Sequence, residues 1–144
     1  MTNIWLITGA TSGFGRLVTE RALARHAHVI AVGRRASLLP SGPGVTPLTL
    51  DLTAPHAEAT LRDAIERAGG VDVLVNNAGS GMFGAVEQIT DAQVRTILDT
   101  NVLGNLAVLR AALPALRASK GRIVQISSLN GQFAWPASGL YSAS

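Results

Sequence analysis

The stretch "TGATSGFG" (8–15) places glycine at 9, 13 and 15, with Thr11, Ser12 and Phe14 between them. That spacing suits phosphate binding. Gly9 permits a tight turn, Gly13 lets backbone approach a pyrophosphate, and Gly15 lets a helix pack closely on a strand. The N–H groups opening the helix, with the positive end of its dipole, then hold the anion. A plain strand–turn–helix also uses glycine, so the context decides. Here "IWLIT" (4–8) precedes as a short apolar run suited to burial on both faces. A helical pattern follows over about 13–26, with Leu17, Val18, Ala22 and Leu23 on one side. The expected ligand is a dinucleotide, and all of Gly9, Thr11, Ser12, Gly13, Phe14 and Gly15 are candidate contacts.

The end of the second strand, "HVIAVG" (28–33), selects among dinucleotides. An NAD site usually carries Asp or Glu about 20 residues past the glycines, to hold the ribose 2′-hydroxyl. Here the chain reads Gly33-Arg34-Arg35. No carboxylate is present to repel a 2′-phosphate, and two guanidiniums stand where they can grip one. The expectation is NADP(H), ahead of NAD(H). The alternative is a pair of solvated arginines on a loop.

Positioning these residues requires strands alternating with helices. "ASLLPSGPGVTP" reads as a loop and "LTL" (48–50) as a short third strand ending at Asp51. Residues 56–68 carry helical spacing, and "VDVLVN" (71–76) is a fourth strand. A long helix is expected over 91–118, opened by a Thr90–Gln93 capping box. Its apolar stripe would comprise Val94, Ile97, Leu98, Val102, Leu106, Leu109, Leu113 and Leu116. Pro114 should kink it or end its regular part. "GRIVQIS" (121–127) is a fifth strand, exposed at an edge as a template for aggregation. Such alternation with short connections implies βαβ units and a parallel sheet, and the glycine turn after the first strand suggests that it is doubly wound and Rossmann-type, of order 3-2-1-4-5. Residues 1–144 are read as one dinucleotide-binding domain.

Composition excludes several classes. Of 144 residues, 47% are hydrophobic and 15% charged, a core-rich balance that argues against disorder. Without cysteine there are no disulfides and no thiolate metal site. An intracellular, cytoplasmic setting is the expectation. His26, His28 and His56 lack metal-ligand spacing, and no metal is expected. No apolar run has the length of a membrane span. A net charge of +3 carried by scattered arginines, with few aromatics, does not point to nucleic acid.

Further motifs give the chain a resemblance to the short-chain dehydrogenase/reductases. They are "TGATSGFG", "DLT" after the third strand, "NNAG" (76–79), "DTN" ending at Asn101, "ISS" (126–128) and "YSAS" (141–144). Each is modest alone; together and in this order they are specific, and they cover essentially the whole chain. The three residues between Gly9 and Gly13 match the single-domain branch. The resemblance implies hydride exchange between a nicotinamide cofactor and a small carbonyl or alcohol. It makes Tyr141 the general acid/base and Ser128, thirteen positions earlier, the residue orienting the carbonyl. Ser127, expected to face the other side of the strand, is the weaker candidate. Asn101 matches the residue that helps hold a proton-relay water. Asp51 and Leu52 match positions beside the adenine; Asn76, Ala78 and Gly79 match the loop by the nicotinamide ribose. A homo-oligomer built on the long helix is also implied.

A phenol needs help in this role. Free tyrosine titrates near ~10, and an adjacent cation lowers that value. The resemblance puts a lysine four residues after the tyrosine, whereas three residues follow Tyr141 here. The chain is therefore read as an N-terminal fragment of a longer enzyme, inactive by itself. The alternative is a nucleotide-binding or interaction module without catalysis. Lys120, the sole lysine, sits before the fifth strand, away from the expected site. Met82, Phe83, Phe133 and Trp135 either line an apolar substrate pocket or cover core.

Overall fold

A computed structural model describes residues 2–133 and 135–144. Five parallel strands form a sheet of order β3-β2-β1-β4-β5. They are β1 (Ile4–Thr8), β2 (His28–Gly33), β3 (Val45–Thr49), β4 (Val73–Asn76) and β5 (Arg122–Gln125). Helices α1 (Gly13–Leu23), α2 (Ala57–Ala68), α3 (Asp91–Leu98) and α4 (Asn105–Ser119) make the crossovers, and α5 (Gly139–Ser142) is a single turn. This is the doubly wound Rossmann-type sheet, in the strand order expected from the sequence.

Both faces of the central strands are apolar because both are covered. Leu6, Ile30, Val32 and Leu74 point to one side and pack with Leu61, Ala64 and Ile65 of α2 and Val108, Ala112 and Leu116 of α4. Ile7, Val29, Ala31 and Val75 point to the other and pack with Ala22 of α1. Register follows from this alternation: Leu6 lies beside Ile30 and Leu74, and Ile7 beside Ala31 and Val75. A slip of one residue would exchange the two apolar sets.

Several boundaries differ from the sequence reading. The third strand starts at Val45, not 48, and includes Pro47. Proline lacks a ladder donor, but β3 is an edge strand, where that donor is dispensable. The Thr90–Gln93 capping box is formed. The long helix, however, winds as a π segment over Asp99–Gly104. A π turn takes an extra residue and rotates everything after it. The buried face of α4 is consequently Asn105, Val108, Ala111, Ala112 and Leu116, while Leu106 of the expected stripe is exposed. Pro114 does not end the helix, which runs on to Ser119. Both Pro114 and Arg110, the residue one turn earlier whose carbonyl loses its N–H partner, are exposed, so water can replace that bond. Leu17 is exposed, unlike Val18 and Ala22.

Strand β5 pairs with β4 on one side only and forms an edge of the sheet. Ile123 and Val124 are 44% and 45% exposed there. An apolar edge with free backbone groups recruits other strands, and lysine on such an edge opposes it. The 144-residue chain should therefore associate with rising concentration in sedimentation velocity, and Val124→Lys should suppress this. Concentration-independent monomer in both proteins would contradict the expectation.

Candidate active site and cofactor cleft

The C-terminal ends of the strands open into two adjoining clefts. The first, about 480 Å³, is lined by Gly9, Thr11, Ser12 and Phe14 from the glycine loop and by Arg34 and Arg35 beyond β2. Asp51, Leu52, Ala78 and Gly79 complete the expected residues on its wall. Gly9 has φ +67, and a Cβ there would lie 2.7 Å from the Asn77 amide. A Cβ on Gly15 would collide with the Gly9 carbonyl oxygen, so this glycine sets how closely α1 packs. Gly13, at φ +53, has open space where a Cβ would project. The first turn of α1 contains no acidic residue, and Ser12 makes no side-chain cap. Its N–H groups are thus suited to an anionic partner.

Arg34 and Arg35 are exposed at the wall. Opposite charge is close by. Asp51 accepts from the Thr53 N–H at 2.9 Å and from the Thr53 hydroxyl at 2.8 Å. The backbone bond first, then the hydroxyl, hold the Asp51 carboxyl below its ordinary range; partial burial opposes them and Arg34 adds a smaller pull downward. Asp51 is therefore an anion at neutral pH.

The second cleft, about 730 Å³, brings together Asn101, Ser128 and Tyr141, residues distant in the chain. It shares Phe14, Asn77, Ala78, Gly79 and Ser80 with the first, so the two form one continuous surface. Tyr141 is half-buried on α5, its ring tilted 59° against Phe83 at a centroid distance of 5.5 Å. Ser128 opens a short turn, and its Oγ accepts the Asn130 N–H at 3.2 Å. The Asn101 side chain clasps the Ser80 backbone on both sides. Its Oδ1 accepts the Ser80 N–H and its Nδ2 donates to the Ser80 carbonyl, each at 2.9 Å. The same Nδ2 also donates to Ser144 Oγ.

Some placements depart from expectation. Asn76, expected beside the nicotinamide ribose, is fully buried at the end of β4 and lines neither cleft. Its amide turns inward to Asn105 and Gln125. Asn77 takes the position facing both clefts. Strand β5 ends at Gln125, so strict alternation no longer separates Ser127 from Ser128, and both line the second cleft. Burial still separates them, since Ser128 is half-buried and Ser127 exposed. Phe83, Phe133 and Trp135 are exposed and do not cover core. Thr8, Asn77 and Asn105, which hold the loop after β4, were not singled out in the sequence; Thr8 lies inside the glycine motif but reads there as the last strand residue.

The sequence profile of the short chain dehydrogenases matches residues 3–144. The chain belongs to the short-chain dehydrogenase family. It is 38% identical to a 3-ketodihydrosphingosine reductase of Bacteroides thetaiotaomicron, over 98% of this chain and 52% of that protein. A short-chain dehydrogenase from Streptomyces avermitilis superposes with a TM-score of 0.93 at 37% identity, covering 99% of this chain and 55% of the other. One from Burkholderia cenocepacia, solved in complex with NADP, gives 0.87 at 31% identity, covering 99% and 60%. The chain spans about half the length of the curated relatives it matches. The second cleft gathers residues of "NNAG", "DTN", "ISS" and "YSAS" around one opening. Among the described residues no helix is long and apolar enough to cross a membrane.

Proposed function

We propose that residues 1–144 form a single dinucleotide-binding unit carrying the cofactor site and proton-transferring tyrosine of an NADP(H)-dependent oxidoreductase. The reaction is interconversion of a carbonyl and an alcohol on a small molecule. One observation carries this reading: Asn101, Ser128 and Tyr141 line a cleft continuous with that of the glycine loop and the two arginines. The residues present fit the cofactor. Gly13 leaves room for a close-lying pyrophosphate, the uncapped start of α1 favours its charge, and Arg34 and Arg35 are exposed where a 2′-phosphate could be held.

Bound NADP(H) supplies or accepts the hydride. The remaining work falls to side chains. Ser128 Oγ already accepts the Asn130 N–H, which leaves its own proton to donate to a carbonyl oxygen. Tyr141 gives its phenolic proton to that oxygen in reduction and takes it back in oxidation. Asn101 fixes the loop at Ser80, and its position in the helix suits the proton-relay role of the family. Homo-oligomers would use the exposed side of the long helix, where Leu103 and Leu106 lie.

A second reading applies to the 144-residue polypeptide alone: nucleotide binding without turnover. It is favoured by the place of Lys120, the sole lysine, which caps α4 just before β5 begins, whereas Ser128 follows the other end of that strand.

In a chain extended past Ser144 to supply a lysine four residues after the tyrosine, Tyr141→Phe should abolish NADPH-dependent turnover while NADPH affinity holds. Ser128→Ala should also cut turnover, and Ser127→Ala should matter less. Substantial activity in the Tyr141→Phe protein, read in a steady-state NADPH oxidation assay, would remove the tyrosine from its role.

The cofactor preference is tested by titration with NADPH and NADH. The unmodified chain should prefer NADPH. Charge-assisted bonds are worth roughly 1.5–3 kcal/mol, so Arg34→Asp should lower the preference by about tenfold or more. Equal affinity for the two in the unmodified chain sinks the assignment.

A further inference from the structure

Asn105 stands in the wrong company for a core residue. It is 8% exposed, and the other buried positions of α4 are Val108, Ala111, Ala112 and Leu116. A buried amide in such a stripe is costly unless it is bonded. Its Nδ2 donates to the Asn101 carbonyl at 2.7 Å and to the Ala78 carbonyl at 3.2 Å. The first acceptor lies in the π segment, the second in the loop after β4. The backbone carbonyl of Asn105 in turn accepts from Asn76 Nδ2 at 3.3 Å, and that same amide reaches Gln125 Oε1 at 2.9 Å. Asn105 thereby links helix, π segment, loop and the end of β4, and Asn76 carries the network on to the end of β5.

The arrangement has an unpaid side. Asn105 Oδ1 and Asn76 Oδ1 are buried with no partner among the described residues. An apolar side chain at 105 would avoid that cost, so packing alone does not account for an amide here. What the amide supplies is two donors aimed at the two segments that line the cleft beside Tyr141.

We infer that Asn105 is a positioning residue. It holds the π segment in register with residues 77–80, so that Asn101 meets Ser80 and so that Ala78 and Gly79 keep their place in the cleft. The inference rests on the reading of that cleft as a cofactor and catalytic site, although the bonds themselves do not. Loss of the donors should loosen the loop locally, weaken NADPH binding through Ala78 and Gly79, and leave the sheet intact.

The test uses Asn105→Asp, which keeps the shape and removes the donors while ionised. A carboxyl buried there titrates above its ordinary range, and once protonated it regains one donor. Amide hydrogen exchange in the cofactor-free chain should show the Ser80 N–H exchanging about tenfold faster at neutral pH, with β1 and β4 amides changed by less than about twofold. Corrected for intrinsic rates, the Ser80 difference should shrink as pH falls, and NADPH affinity should recover over the same range. The unmodified chain should show neither trend. An unchanged Ser80 rate, or acceleration spread equally over β1 and β4, would overturn the inference. Should Asn105→Asp not fold, Asn105→Ala carries the same exchange comparison without a buried charge. Failure of the unmodified chain to bind NADPH would defeat the proposed function instead, and the exchange comparison would still decide the role of Asn105.

Discussion

The site depends on what happens to one threonine at the end of β1. Thr8 is fully buried. Its hydroxyl oxygen accepts the N–H groups of both Asn77 and Ala78 at 2.9 Å, and its carbonyl accepts Asn77 Nδ2 at 2.9 Å. These bonds fasten the loop after β4 to the strand that feeds the glycine turn. Two backbone donors leaving a sheet need acceptors, and one side chain provides for both. Gly9 must then lack a Cβ because the Asn77 amide fills the space beside it, and Gly15 because the Gly9 carbonyl and the same amide fill the space beside it. The glycine motif and the "NNAG" segment are two halves of one joint.

That joint explains why the two clefts are continuous. Residues 77–80 form the shared wall between the glycine loop and the Asn101–Ser128–Tyr141 opening. Thr8 holds the wall from beneath, Asn101 clasps it at Ser80, and Asn105 ties it to the helix at Ala78. The glycine loop that opens α1 and the Tyr141 side of the second cleft are thereby joined through one shared wall. Such support is what a site needs when its reacting atoms must meet in a fixed geometry.

Much of this was legible in the sequence because its causes are local. Short apolar runs suited to burial on both faces, helix spacing, the Thr90–Gln93 cap and the glycine turn each express the physics of a few neighbouring residues. The alternation of strands and helices gave the parallel sheet, and the glycine turn after β1 pointed to the doubly wound dinucleotide-binding order. The π segment was not legible, because an extra residue in a turn leaves the composition of the helix unchanged while rotating its later face. Leu106 was therefore placed inside and Asn105 overlooked. The inward turn of Asn76 was hidden for a similar reason: two adjacent asparagines face opposite ways, and partners contributed by Gln125 and Asn105 from distant segments decide which way. Thr8 looked like any strand residue until the loop bonded to it was in view.

The most direct measurement is NADPH affinity in Thr8→Val and Thr8→Ser by isothermal titration, with thermal melts alongside. Valine keeps the shape and burial of Thr8 but leaves two N–H groups without their acceptor, a loss of about 1–3 kcal/mol for each buried group stranded. Thr8→Val should bind NADPH at least about tenfold more weakly than the unmodified chain, and Thr8→Ser, which keeps the oxygen, should stay close to it. Equal affinity in the unmodified and Thr8→Val chains, with cooperative melts in both, would contradict the account.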